Sequence, residues 1–96
     1  MALNIRRLVL DVDKAAARPT LLELAAAIAK VAGVEALNIT VTEVDIETVG
    51  TEITIEGTDI RYDALVQAIE ATGAVLHSVD QLAAGERLIE RIRPDR

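Results

Sequence analysis

Carboxylates are the most abundant side chains in this sequence that could do chemistry. The 96 residues include 16 Asp and Glu against 10 Lys and Arg, which gives a formal net charge of −6 at pH 7. Hard cations such as Ca²⁺ and Mg²⁺ prefer carboxylate oxygens that converge from several segments. The sequence has no D-x-D-x-D-G loop, so a cation site would have to be assembled by the fold. The same acidity disfavours nucleic acid as a partner, because phosphate binding relies on Lys and Arg.

The only histidine, His77, is the other candidate for a reactive side chain. It makes a poor zinc site, because the chain has no cysteine and no second imidazole. A hydrogen-bonded structural histidine is the favoured interpretation, followed by a contact at a subunit interface. Ser78 is its neighbour, and adjacent residues of a strand point to opposite faces, which argues against a Ser–His pair. Without a G-x-S-x-G or glycine-rich phosphate-binding pattern, the sequence predicts no catalytic residues, no enzyme activity and no cofactor other than Ca²⁺ or Mg²⁺.

Six elements are expected to position these side chains. Alternation of apolar and polar residues predicts strands, and apolar residues at helical spacing predict helices. Thr20 and Glu23 form a T-x-x-E capping box before the first helix, and a change of parity near Thr42 predicts a bulge. A turn is expected at Val49 and Gly50. The expected elements are strands over residues 3–12, 34–47, 51–57 and 74–79, and helices over 21–32 and from the N-cap Asp59 to Gly73.

This order, βαββαβ, predicts a ferredoxin-like α+β sandwich. Right-handed crossovers place strand one between strands three and four of an antiparallel four-stranded sheet, with both helices on one face. Strands two and three form a long hairpin. We expect one domain over residues 1–96, with a core over 1–80 and a C-terminal tail over 81–96. No apolar run is long enough to span a bilayer and no secretion signal is recognisable, which predicts a cytoplasmic protein without a membrane partner.

The predicted topology brings one set of acids together. The end of strand one is expected near the hairpin end, where a divalent cation could bind within one chain or between subunits. A solvated acidic rim is the simpler interpretation of the same residues and is favoured. The candidate metal ligands are Asp11, Asp13, Asp45, Glu47 and Glu52.

The sheet face away from the helices is the candidate interface. An apolar face and a protruding hairpin call for a partner. Alternatively, the C-terminal tail folds back over this face, and both can hold if the tail of one subunit lies on the next. The expected interface residues are Ile5, Val9, Val75, His77, Val79, Leu88 and Ile92.

Three stretches of the sequence resemble a known family. They are R-R-L-V-L-D-V at residues 6–12, N-I-T-V-T-E-V-D-I-E-T within the hairpin over 34–57, and the run from His77 to Gly85. Together they resemble the small, mainly archaeal family called domain of unknown function 211, over almost the whole chain. The resemblance implies a ferredoxin-like fold and a homo-oligomer in the form of a closed ring. It implies no catalytic residues.

Two functions follow as alternatives. The leading hypothesis is a non-enzymatic, self-assembling, ring-like homo-oligomer that binds divalent cations at its acidic rim. The alternative is a small-molecule-binding regulatory or sensor domain, with its ligand at subunit interfaces. A third hypothesis, an enzyme assembled at an interface, requires a neighbouring subunit to bring carboxylates to His77.

Overall fold

The strands and helices occur in the order that the sequence predicts. A computed structural model describes residues 3–92. The four strands form one antiparallel sheet in the order β2-β3-β1-β4, so the first strand lies between the third and fourth. The ferredoxin-like α+β fold is therefore confirmed. The elements are β1 (Ile5–Ala15), α1 (Leu21–Ala29), β2 (Val34–Val44), β3 (Thr48–Gly57), α2 (Tyr62–Ala71) and β4 (Val75–Ala84).

The core lies between the sheet and a layer of two helices. α1 packs on β2, α2 packs on β4, and the helices contact each other. Strand alternation sends every second side chain of β1 and β3 to this side, where branched aliphatic residues fill the space. The side chains that are at most 1% exposed include Leu8, Leu10, Val12, Leu24, Ile28, Ile53, Ile55, Leu65 and Ile69.

The two helices begin differently. The predicted capping box of α1 is confirmed, since Thr20 Oγ1 accepts from the Glu23 backbone N–H at 3.1 Å and Glu23 Oε1 accepts from the Thr20 N–H at 2.9 Å. The prediction of Asp59 as the N-cap of α2 is wrong, because Arg61 occupies that position and makes no side-chain cap. Asp59 instead lies in the preceding loop with a φ of 53°, and its backbone N–H donates to Asn4 Oδ1 at 2.7 Å. The start of α2 is thus left without a side-chain acceptor.

Two glycines allow the start of β2 to meet the end of β3. A Cβ atom on Gly57 would lie 1.8 Å from the carbonyl oxygen of Gly33, which itself has a φ of 93°. The Thr58 N–H donates to that same oxygen at 3.0 Å. Only glycine fits so close an approach. α1 ends at Ala29 rather than at the predicted residue 32, because the chain turns here towards Gly33.

The hairpin of β2 and β3 turns earlier than predicted. The Asp45 N–H donates to the Thr48 carbonyl at 2.8 Å, which closes the turn, whereas Val49 and Gly50 lie inside β3. The bulge predicted near Thr42 is confirmed by a register shift at that residue. β3 therefore begins at Thr48 rather than at the predicted residue 51.

β1 and β4 also run further than predicted. β1 continues to Ala15, and β4 continues to Ala84 rather than ending at residue 79, so the first residues of the expected tail belong to the sheet. The pairing of these two strands shifts register at three places. Each such bulge changes which face the following residues occupy, and this has consequences for the site.

Candidate functional site

The sheet face away from the helices, called here the open face, is mostly polar rather than apolar as expected. Cross-strand partners share a face, so the strand register assigns its residues. Val9, for example, is paired with Thr54 on one side and with Gln81 on the other. The residues of the open face include Arg7, Val9, Asp11, Asp13, Asn38, Glu52, Thr54, Glu56, Val75, Ser78 and Gln81.

Two of the expected interface residues lie on the other side of the sheet. Val79 is paired with Leu10, whose side chain is buried against the helices, so Val79 faces the helix side as well. Ile5 packs against the core. The sequence prediction failed here because it assumed uninterrupted alternation, which the bulges between β1 and β4 break. Val9 and Val75 lie on the open face as predicted.

Arg7 joins the open face to the C-terminal tail. Its Nε donates to Glu56 Oε2 at 2.7 Å, and its Nη1 and Nη2 donate to Glu90 Oε1 and Oε2 at 3.0 and 3.1 Å. The forked contact with Glu90, and to a smaller extent the bond to Glu56, holds the pKa of Arg7 above its usual value. The forked hydrogen bonds from Arg7 also hold the pKa of Glu90 below its ordinary value.

The tail therefore returns to the open face of its own chain, which is one of the two expected arrangements. Its start is fixed by Arg6, whose Nη1 donates to the carbonyl oxygens of Gly85 and Glu86 at 3.2 and 2.9 Å. Of the two tail residues expected at an interface, Leu88 is half-buried and Ile92 is exposed. Ile92 thus contributes no core contact in a single chain.

The five candidate metal ligands do not converge within one chain. The expected meeting of the end of β1 with the hairpin end does occur, since the Ala16 N–H donates to the Glu47 carbonyl at 2.9 Å. Asp11 lies directly opposite Glu52, whereas Asp13 lies opposite Gly50. Among residues 3–92, no three His, Asp or Glu side chains are grouped so that they could hold a metal ion. A site between subunits stays a prediction.

The side chain of Asp45, another of the candidate ligands, forms a hydrogen bond within the hairpin turn. Its Oδ1 accepts from the Ile46 backbone N–H at 2.8 Å, and every residue from 40 to 48 is exposed. The carboxylates of this turn therefore face solvent, which fits the favoured interpretation of an acidic rim.

His77 lies on the open face beside Asp13. Its Nδ1 is 3.9 Å from Asp13 Oδ2, and the two side chains are 67% and 50% exposed. That distance is too long for a hydrogen bond, so the contact differs from the expected hydrogen-bonded structural histidine. Ser78 shares the open face because a bulge precedes it, contrary to the expectation of opposite faces. Its hydroxyl donates to Asp80 Oδ1 at 2.8 Å.

The hairpin end carries exposed apolar side chains. Val41, Val44 and Ile46 are 41%, 73% and 91% exposed. α1 has 9 residues and β2 has 11. With rises of about 1.5 Å per residue in a helix and about 3.3 Å in a strand, the helix covers less than half of the strand's length. The hairpin end therefore projects beyond the helix layer.

Two pockets lie at the opposite end of the sheet, on either side of Tyr62. The first, of about 440 Å³, surrounds the start of α2 and is lined by Leu3 and residues 59–64. The second, of about 280 Å³, is lined only by apolar surface. Tyr62 is the only aromatic residue of the chain. Its place in the first turn of a helix was the one feature of the sequence that could have indicated these two pockets. The second pocket is formed by Ile5, Leu8, Tyr62, Val79 and Leu82.

Sequence reasoning also missed Lys14. This side chain is only 7% exposed, and its Nζ donates to the carbonyl oxygens of Ala15 and Ala16 at 2.9 and 3.3 Å. Its position continues the buried parity of Leu10 and Val12, which was the available signal. Lys14 closes the loop that leads into α1 and leaves no ammonium on the open face at that position.

The fold and the surface define a class before any relative is considered: a small ferredoxin-like α+β protein with a polar open face and a projecting hairpin. The family model of domain of unknown function 211, described as uncharacterized ArCR, matches residues 6–96. The chain belongs to this family, which confirms the resemblance seen in the sequence. An uncharacterized protein of Methanocaldococcus jannaschii is 37% identical over 90 residues, which cover 94% of this chain and 92% of that protein.

Across residues 3–92, none of the helices has both the length and the apolar character that crossing a membrane would require.

Proposed function

We propose that this chain is a non-enzymatic, self-assembling protein that forms a ring-like homo-oligomer in the cytoplasm. The observation that carries the proposal is the projecting hairpin end, where Val44 and Ile46 are 73% and 91% exposed. Apolar side chains grouped on a projecting surface typically mark a contact with a partner. A second copy of the same chain is the simplest partner.

The two edges of the sheet support this proposal. Within residues 3–92, β2 and β4 are the edge strands, of 11 and 10 residues, and each presents unpaired backbone groups on one side. They lie on opposite sides of a flat molecule whose principal extents are 40 × 39 × 19 Å. Contacts between different surfaces of successive copies produce a ring when their rotation closes.

The cation part of the proposal rests on Asp11 and Glu52. These carboxylates are directly opposite in the antiparallel pair of β1 and β3, and like charges in that position destabilise a sheet. A Ca²⁺ or Mg²⁺ ion would offset the repulsion, but it requires more oxygen ligands than one chain brings together. The remaining oxygen ligands would come from a neighbouring copy.

Native mass spectrometry with and without EDTA tests the assembly and the cation separately. We expect one discrete oligomer, which loosens on chelation if a cation bridges the subunits. An oligomer indifferent to EDTA would remove the cation from the proposal, and a monomer at micromolar concentration would contradict self-assembly. Glu52→Gln is expected to abolish the response to EDTA, whereas Glu70→Gln, an exposed acid of α2, is the matched control.

A second function, binding of a small regulatory ligand, is favoured by the pocket of about 440 Å³ at the start of α2. Arg61, Tyr62 and Asp63 give this pocket charges of both signs and an aromatic side chain. A ligand that binds only the folded chain raises its melting temperature. Thermal-shift measurements with amino acids, nucleotides and divalent cations test this function, and a shift that Arg61→Ala abolishes would support it. No shift with any compound would argue against a sensor.

A further inference from the structure

The hairpin turn forms a small apolar projection with a fixed shape. We call residues 44–47 the hairpin tip. The turn is closed by the bond from the Asp45 N–H to the Thr48 carbonyl, and the Asp45 carboxylate accepts from the Ile46 N–H. Ile46 is thereby held outward at the end of the turn, where it is 91% exposed.

The pocket between α2 and β4, called here the apolar pocket, has the complementary chemistry. Its volume is about 280 Å³ and its lining surface is entirely apolar. Val79 and Leu82 at its rim are 42% and 53% exposed, and the bulges of β4 are what turn Val79 to this side. An aliphatic side chain placed here would cover surface that a single chain leaves in water, which is favourable.

The tip and the pocket lie at opposite ends of the sheet and towards opposite edges. The β1–β3 register runs from the pair Ala15 and Thr48, next to the tip, to the pair Arg7 and Glu56, at the end where the pocket lies. The hairpin includes edge strand β2, whereas the pocket is bordered by edge strand β4. A chain cannot place its tip in its own pocket, but successive copies can do so head to tail, and such contacts close into rings.

Charge favours the same pairing. The tip and its flank contain Glu43, Asp45 and Glu47, and the sequence has no Lys or Arg between Lys30 and Arg61. Arg61 precedes Tyr62, which lines the apolar pocket, and itself lines the neighbouring pocket at the start of α2. It is exposed and has no ion pair among residues 3–92. It also stands at the uncapped N-terminus of α2, whose dipole favours carboxylates.

Asp59 and Asp63 lie beside Arg61 at that end of the sheet and offset its charge. The apolar fit therefore sets the position of the contact, and Arg61 adds to it. The C-terminal tail is a poorer occupant than a second copy, because Glu90 is bound to Arg7 on the opposite face of the sheet.

We propose that the hairpin tip of one copy inserts Ile46 into the apolar pocket of the next copy, with the tip carboxylates beside Arg61. This inference rests on the proposed self-assembly and specifies its contact.

Mixing two variants tests the contact. Ile46→Asp removes the tip and leaves the pocket intact, whereas Leu82→Asp disables the pocket and leaves the tip intact. We expect each variant alone to be monomeric in native mass spectrometry and circular dichroism to show both folded, because both side chains are exposed. An equimolar mixture should form a 1:1 heterodimer that grows no further. Leu22→Asp, at an 83% exposed position of α1, is the control that should assemble like the wild type.

The outcomes separate this contact from self-assembly in general. A monomeric wild type would overturn both. A wild type that assembles, together with an Ile46→Asp or Leu82→Asp variant that still assembles, would overturn only the contact proposed here. Two monomeric variants that give no heterodimer would also overturn it.

Cysteine cross-linking keeps the test decisive if Leu82→Asp fails to fold. The chain has no cysteine, so an Ile46→Cys, Leu82→Cys double variant carries thiols only at the tip and the pocket. We expect oxidation to produce a ladder of covalent oligomers in denaturing electrophoresis. Absence of the ladder would contradict the proposal. A ladder from a Leu82→Cys, Ile92→Cys double variant would also contradict it, because it would place the C-terminal tail at the pocket instead of the hairpin tip.

Discussion

The inner and outer halves of the β2–β3 hairpin carry similar residues in opposite environments. The inner half, residues 34–39 and 51–57, is covered by the helix layer, and Ile53 is fully buried there. The outer half, residues 40–50, projects beyond the helices, and Ile46 is 91% exposed. Both isoleucines belong to the same hairpin, yet only one contributes to the core of a single chain.

The difference shows that residue type and alternation specify a strand but do not specify what covers it. The inner half is fixed by contacts within the chain, including the backbone approach of Gly57 to Gly33. The outer half has apolar side chains without such contacts, and we attribute them to assembly. Substitutions of matched pairs, one from each half, should therefore separate stability from association.

The largest effect is expected at the glycines. Gly57→Ala places a Cβ atom 1.8 Å from the Gly33 carbonyl oxygen, and neither backbone can yield without breaking the strand pairing. We expect a loss of about 4 kcal/mol or more in the free energy of unfolding, which is exceptional for one substitution. Gly50→Ala, in the outer half, meets its nearest neighbours at 3.4 to 3.6 Å and should change stability by less than about 1 kcal/mol. Urea denaturation measures both, and equal losses would contradict the comparison.

The next effect concerns the two isoleucines. Ile53→Ala leaves a cavity in the core and should destabilise the chain by about 2–5 kcal/mol. Ile46→Ala removes an exposed side chain, so the monomer should change by less than about 0.5 kcal/mol while the oligomer weakens. Denaturation at low protein concentration and native mass spectrometry measure the two quantities. An Ile53→Ala variant as stable as the wild type, or an Ile46→Ala variant that unfolds, would contradict the assignment of the inner half to the core and of the outer half to assembly.

The order of elements could be predicted from the sequence because it depends on local signals. Alternation in β1 and β3 and the Thr20–Glu23 capping box identify strands and a helix start without knowledge of the fold. The bulge near Thr42 was visible for the same reason, as a change of parity within one strand.

The faces of β4 could not be predicted, because its bulges arise from pairing with β1. Val79 has the parity of Val75 in the sequence, yet a register shift turns it towards the helices. The contact of Arg7 with Glu90 was equally hidden, since 83 residues separate the partners and no local pattern joins them. The open face was therefore wrongly expected to be apolar, and its role as an interface stays a prediction.

A smaller effect is expected at the boundary between the halves. Thr51 is 1% exposed, and its hydroxyl donates to the Val12 carbonyl at 2.7 Å. Thr51→Val keeps the shape but removes this buried bond, and we expect a loss of about 1 kcal/mol in the free energy of unfolding. Thr48→Val, at an exposed position of the outer half, should stay within about 0.5 kcal/mol of the wild type. Denaturation curves that rank the two variants in the opposite order would contradict the position of the boundary.

The smallest effect tests whether the tail is part of the inner, self-contained region. Arg7 binds Glu56 of the inner half and Glu90 of the tail, and its hydrogen bonds to Glu90 lower the pKa of that carboxyl. A carboxyl whose pKa is lower in the folded chain stabilises the docked tail at neutral pH, and the contribution disappears as the pH falls through that lowered pKa. In an NMR titration, we expect the Glu90 midpoint to rise in Arg7→Gln and to stay unchanged in Arg61→Gln. An unchanged midpoint in Arg7→Gln would mean that the tail is not held on the open face in solution, which would leave Arg7 and Glu56 available to another copy.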